Sequence, residues 1–173
     1  MELLELIKTR RSIRKYTAEP ISEEHIKALK TAALCAPTSK NCKDWKFIFV
    51  TNKETIEALS TAKEGTGEFL AGAPLAIVVA ADTTLTDVWV EDTSIAASYI
   101  QLMAHNLGLG SCWAQMRLRK NSEGNNASEN IKKLLSLSAD DEVMCVIGVG
   151  HPDQQRKPYE EEKLPWEKVV DIK

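Results

Sequence analysis

Two short runs most constrain what this chain can fold into: Leu75-Ala76-Ile77-Val78-Val79-Ala80-Ala81 and Val143-Met144-Cys145-Val146-Ile147-Gly148-Val149. Both are nearly all apolar, strand-length and without polar alternation. They read as strands buried on both faces. Such strands need packed layers above and below the sheet. The rest of the sequence offers helices for those layers. Leu3, Leu4, Leu6 and Ile7 give a short amphipathic helix over residues 2 to about 10. Ser22 is a helix N-cap with Glu23 and Glu24 in the first turn, and Ile21 and Ile26 sit at staple positions. That helix carries Ile26, Leu29 and Ala33 inward and stops before Pro37.

The remaining elements follow the same logic. Phe47-Ile48-Phe49-Val50 is a β-rich run, and Ile56 and Leu59 mark a third helix beginning near Asn52. Gly65, Gly67 and Gly72 suggest a flexible connection. The longest helix spans roughly Val90 to Leu107, with Ile95, Tyr99, Leu102 and Met103 in helical register, and Gly108 is its C′ residue. Ser111-Cys112-Trp113-Ala114 reads as a strand, Lys120 to Ser128 as a loop, and Ile131, Leu134 and Leu135 as a short helix. Helices thus alternate with about four strands. With no repeat and no composition break, residues 1–173 are expected to form one domain. The tail from His151 to Lys173 holds three prolines but also Trp166, Val169 and Val170, which need burial. Its own domain and a partner subunit are both open as the place.

Charge and cysteine usage narrow the function classes. The net charge of −3 argues against general nucleic-acid binding. The N-terminus lacks a signal-peptide pattern and the apolar runs are too short to span a bilayer, so a cytoplasmic protein that does not engage the membrane is expected. Cys35, Cys42, Cys112 and Cys145 form no CxxC and have no His at zinc-ligand spacing, so no metal site is expected and the thiols are read as free. Cys112 beside Trp113 reads as a buried structural residue.

Against this acidic background stands Thr9-Arg10-Arg11-Ser12-Ile13-Arg14-Lys15-Tyr16. Guanidinium forks and a hydroxyl suit a phosphate, although a solvated basic turn would look the same in isolation. His25, His105 and His151 are scattered, Gly108-Leu109-Gly110 is only a fragment of a dinucleotide fingerprint, and no GxSxG, P-loop or HExxH occurs. An enzyme built from these residues would borrow its reactive group from a cofactor.

Four segments, in order, carry a family resemblance. Arg10-Arg11-Ser12-Ile13-Arg14-Lys15-Tyr16 resembles an R-[RH]-S-x-[RK]-x-[FY] motif. Ala36 to Trp45 resembles a P-[ST]-S-x-N-x-Q-P-W loop. Glu91-Asp92 through Gly108-Leu109-Gly110-Ser111-Cys112-Trp113 resembles a long central helix with its following strand. Gly148-Val149-Gly150-His151-Pro152 and Glu162-Lys163-Leu164-Pro165 resemble a last strand and a returning basic tail. The set is similar to the compact FMN-dependent nitroreductases.

That resemblance implies an α+β fold with a mixed central sheet flanked by helices. It also implies an intertwined homodimer with C-terminal arm exchange, the arm being residues 151–173, and FMN at the interface. It further implies NADH or NADPH as donor and a nitroaromatic, quinone or similar small molecule as acceptor. By motif, Arg10, Arg11, Ser12 and Arg14 hold the phosphate and ribityl chain, with Lys163 completing the pocket and Arg156 and Lys157 as alternatives. Pro37, Thr38, Ser39 and Asn41 form the loop that reaches the partner's flavin. Ala114, Gln115 and Met116 face the ring edge and supply an amide to N5. No side chain is implied as an essential acid or base. Lys43-Asp44 replaces the usual Gln-Pro, and Gln115-Met116 replaces a glycine-rich pair. Other flavin reactions on the scaffold, including dehalogenation, ene reduction and flavin fragmentation, remain open, as does non-catalytic flavin binding.

Overall fold

The two apolar runs are the inner strands of a four-stranded sheet in the computed structural model, which describes residues 2–65 and 67–172. Lys173, the end of the expected arm, lies outside the described residues. In chain order the helices are α1 (Leu3–Thr9), α2 (Glu23–Leu34), α3 (Lys53–Ser60), α4 (Trp89–Asn106) and α5 (Ala127–Leu135). The strands are β1 (Trp45–Val50), β2 (Leu75–Asp82), β3 (Gly110–Gln115) and β4 (Asp141–Gly150), ordered β1-β2-β4-β3.

The α+β class holds. Among the described residues all neighbouring strand pairs are antiparallel, and parallel pairing enters only through the Ser12–Ser111 bridge. The mixed character of the sheet is therefore confined to that bridge.

Strand alternation explains why the inner strands are wholly apolar. Leu75, Ile77 and Val79 of β2 face one layer with Leu29 of α2 and Ala97 and Ile100 of α4. Ala76, Val78 and Ala80 face the other, with Leu59 of α3, Leu70 and Ile131 of α5. Each fully buried Leu or Ile contributes ~1.5–3 kcal/mol over an exposed one.

Capping sets the helix starts. Ser22 accepts from the His25 amide at 3.2 Å, and Asn52 accepts from the Thr55 amide at 2.9 Å. The expected loop over 120–128 ends sooner, because Asn126 is itself an N-cap, accepting from the Ser128 and Glu129 amides. After the glycine connection at Gly65 and Gly67, Glu68–Gly72 forms a 3₁₀ segment.

Among the described residues, exposed apolar side chains cluster on α1 and in the tail. On α1 only Leu6 is buried, while Leu3, Leu4 and Ile7 are exposed. In the tail Trp166, Val169, Val170 and Ile172 are exposed.

Candidate functional site

The basic segment is a docked structure. Ser12 forms a parallel bridge with Ser111, and the Ile13 amide donates to the Ser111 carbonyl at 2.9 Å. Gly110 makes this approach possible, since a Cβ there would lie 2.7 Å from Ile13 Cγ2. The Tyr16 hydroxyl lies 2.5 Å from the Ile13 carbonyl and 3.1 Å from that of Gly148, with burial holding the phenol protonated. The segment is therefore fixed along β3, the edge strand.

Three arginines, Arg10, Arg11 and Arg14, lie along the docked segment. Burial pushes the Cys112 thiol up, while Arg14, the Ser12 hydroxyl and Arg10 act in the opposite direction. Cys112 is thus the buried residue read from the sequence, and Arg14, Ser12 and Arg10 are near enough to act on its thiol. Among the described residues no carboxylate pairs with Arg10 or Arg14. Arg11 lies over the Tyr159 ring at 4.5 Å and donates to the Lys157 carbonyl. A cleft of about 380 Å³ opens on the Arg11 and Ile13 side of the segment, lined by Thr9, Arg11, Ile13, His105, Gly110 and Arg156, among others. Thr9 Oγ1 and His105 Nε2 are 2.8 Å apart. Burial, and then Arg10, hold the His105 imidazole below its ordinary pKa. Thr9 opens the basic run and His105 is one of three scattered histidines, and only their convergence in space joins them as a pair.

The outer edge of β3 continues the site. Ser111 turns its carbonyl outward to Ile13, whereas Met116 turns its amide inward to the Met144 carbonyl at 3.0 Å. The two-residue period then points the amides of Trp113 and Gln115 outward and that of Ala114 into the ladder. Among the three expected ring-edge residues, Gln115 is therefore the one with an outward donor. Its side chain is held by Trp113 Nε1 at 2.8 Å and by donation to the Arg117 carbonyl at 3.2 Å. Met116 is fully buried in the core, so its side chain leaves the cleft unchanged.

Pro37, Thr38, Ser39 and Asn41 lie elsewhere. Thr38 Oγ1 accepts from the Lys43 amide at 3.1 Å, and Ser39–Asn41 form one 3₁₀ turn. Lys40, Asn41 and Lys43 all have positive φ. The loop is anchored by the Ser39 amide, which donates to both Asp92 oxygens at 2.9 and 3.1 Å. Asp44 and Asp92 are both buried, and burial, with Asp92 adding to it, pushes the Asp44 carboxyl up. Sequence reading flagged Asp44 only as a departure from a motif and did not connect it with Asp92.

Asp92 stands at the start of α4 and His105 in its last turn. Thirteen residues at 1.5 Å each separate the two anchors by ~20 Å along one helix. The loop and the basic segment thus flank opposite ends of α4 in one chain. In the tail, Lys163 pairs with Glu160 at 2.5 Å, whereas Arg156 lines the cleft that holds Arg11.

Comparison with known proteins gives consistent matches. A profile of the nitroreductase family matches residues 7–65 and 57–151. The structure of an FMN-dependent nitroreductase from Clostridium difficile R20291 superposes with a TM-score of 0.96 at 44% identity, covering 98% of this chain and 99% of that one. A protein from Methanothermobacter thermautotrophicus, provisionally named NADH dehydrogenase/NAD(P)H nitroreductase, is 36% identical over 175 residues, 97% of this chain and 88% of its own. The NADPH-flavin oxidoreductase of Vibrio harveyi is 31% identical over 181 residues, spanning 96% and 72% of the two chains.

Proposed function

The chain belongs to the nitroreductase family, and from that membership we propose that it is an NAD(P)H-dependent FMN oxidoreductase. The observation that carries this reading is the docking of residues 10–16 along β3. It sets cations free of carboxylate partners beside a strand edge with outward amides. A phosphate fits the first part, because Arg10 and Arg14 supply charge and Ser12 a hydroxyl along one short docked segment. An isoalloxazine edge fits the second, where the Gln115 amide is the available donor. FMN, when bound, would supply the redox chemistry between NADH or NADPH and a nitroaromatic, quinone or similar electron-poor acceptor, in ping-pong order.

The protein's part is holding and orientation. Arg10, Arg11, Ser12 and Arg14 anchor the phosphate and ribityl end. Of the tail cations, Arg156 lines the cleft beside Arg11, and Lys163 stands in an exposed pair with Glu160. The hydrogen bonds of Trp113 and Arg117 to the Gln115 side chain stiffen the edge that meets the ring. Pro37, Thr38, Ser39 and Asn41 complete the site from a second copy, which the separation along α4 supports. The uncovered faces of α1 and the tail suit a homodimer with arm exchange.

The test is direct. Protein purified without added flavin should show the FMN spectrum and oxidise NADH or NADPH with a quinone acceptor, releasing FMN intact on denaturation. A colourless protein, or one that keeps flavin but oxidises neither donor with any acceptor, contradicts the enzyme reading. Ring-cleaved flavin after turnover would replace it with fragmentation.

A further inference from the structure

We infer that Cys42, Asp44 and Asp92 form a three-ligand site for a zinc-type divalent cation, which ties the 38–44 loop to the start of α4. The sulfur and one oxygen from each carboxylate lie within 4.8 Å of one another. Cys42 Sγ is 3.6 Å from Asp44 Oδ1 and 3.6 Å from Asp92 Oδ2. Zinc bonds of ~2.3 Å to sulfur and ~2.0 Å to oxygen at the tetrahedral angle give a sulfur–oxygen edge of ~3.5 Å. Both sulfur–oxygen distances already stand near that edge.

A second, independent observation points to a ligand. Asp44 is 1% exposed, and its Oδ2 is buried without a hydrogen-bond partner among the described residues. Asp92 is 3% exposed. Two such carboxylates buried side by side are neutralised either by a shared proton or by a cation between them. No lysine or arginine makes an ion pair with either carboxylate among the described residues, and a cation would supply the missing charge.

The surroundings suit the role. The Ser39 amide holds both Asp92 oxygens and so orients that ligand, as outer hydrogen bonds do at metal sites. The half-buried Cys42 leaves a side open for entry and for a water as fourth ligand. A thiolate in the set favours zinc over hard ions such as magnesium or calcium. On binding, the Cys42 thiol passes its proton to solvent as the metal–sulfur bond forms. The set escaped sequence reading because it is Cys-x-Asp closed by a residue from a different element.

Calorimetric titration with Zn²⁺ tests the site, using tag-free protein as purified, after chelator treatment and dialysis. We expect one Zn²⁺ per chain, a rise in Tm on loading, and binding weakened roughly tenfold or more in both Cys42→Ser and Asp44→Asn. Cys35→Ser, which alters the exposed thiol, should bind as the parent does. Should Cys42→Ser fail to fold, Asp44→Asn carries the same comparison. Absence of Zn²⁺ binding, or binding unchanged in the folded ligand variants, overturns the site and leaves a carboxylate pair sharing a proton. Flavin content is read separately on the same samples, so failure of the metal site and failure of the flavin reading are distinguishable.

Discussion

Single residues decide whether the basic segment is a site or a solvated turn. Ser12 and Ile13 bond to Ser111, Gly110 leaves the room, and Tyr16 fastens the far end to Gly148. Arg10 and Arg14 are thereby held where a free chain would let them wander. His105 gives a pH test at this scale. Its folded pKa lies below the ordinary imidazole value of ~6.5, so the folded protein binds fewer protons over that interval. The stability this contributes is complete above about pH 6.5 and is lost as pH falls through the lower folded value. Urea midpoints at mildly alkaline and mildly acidic pH should therefore drop more for the parent than for His105→Gln. Equal drops would show that His105 titrates normally.

Most elements could be read from the sequence because their signals are local. The all-apolar runs at 75–81 and 143–149, the caps Ser22 and Asn52, and the C′ glycine at 108 needed no tertiary information. Asn126 was hidden because the same side-chain oxygen that favours a turn also caps a helix. Asn126→Ala should cost about 1 kcal/mol, read from the urea midpoint without a change in slope. An unchanged midpoint would mean that α5 is held by packing alone. The site was legible only in part for a physical reason. Which β3 amides point outward depends on pairing with β4, and the Asp92 anchor of the loop lies 53 positions from Ser39. Neither is written in a local pattern.

At the scale of the whole molecule, one chain leaves apolar surface open that a folded protein normally covers. Leu3, Leu4 and Ile7 on α1 and Trp166, Val169, Val170 and Ile172 in the tail are the largest part of it. The outer edge of β1 is also unpaired within the sheet. Among the described residues no helix is long and apolar enough to cross a membrane. A second copy is the cover we propose. Sedimentation should give twice the 19.2 kDa chain mass, and Val169→Asp with Val170→Asp should weaken the dimer and lower flavin content together. A monomer with full flavin content would separate the site from the partner.

The central claim is that residues 10–14 anchor a phosphate, with the redox chemistry at the other end of the flavin. It is tested most directly by titrating parent and Arg14→Ala with FMN and with riboflavin, which lacks the phosphate. We expect the parent to prefer FMN, and Arg14→Ala to lose ~1.5–3 kcal/mol of FMN binding with riboflavin affinity nearly unchanged. Equal losses for both ligands, or no loss for either, would contradict the phosphate anchor.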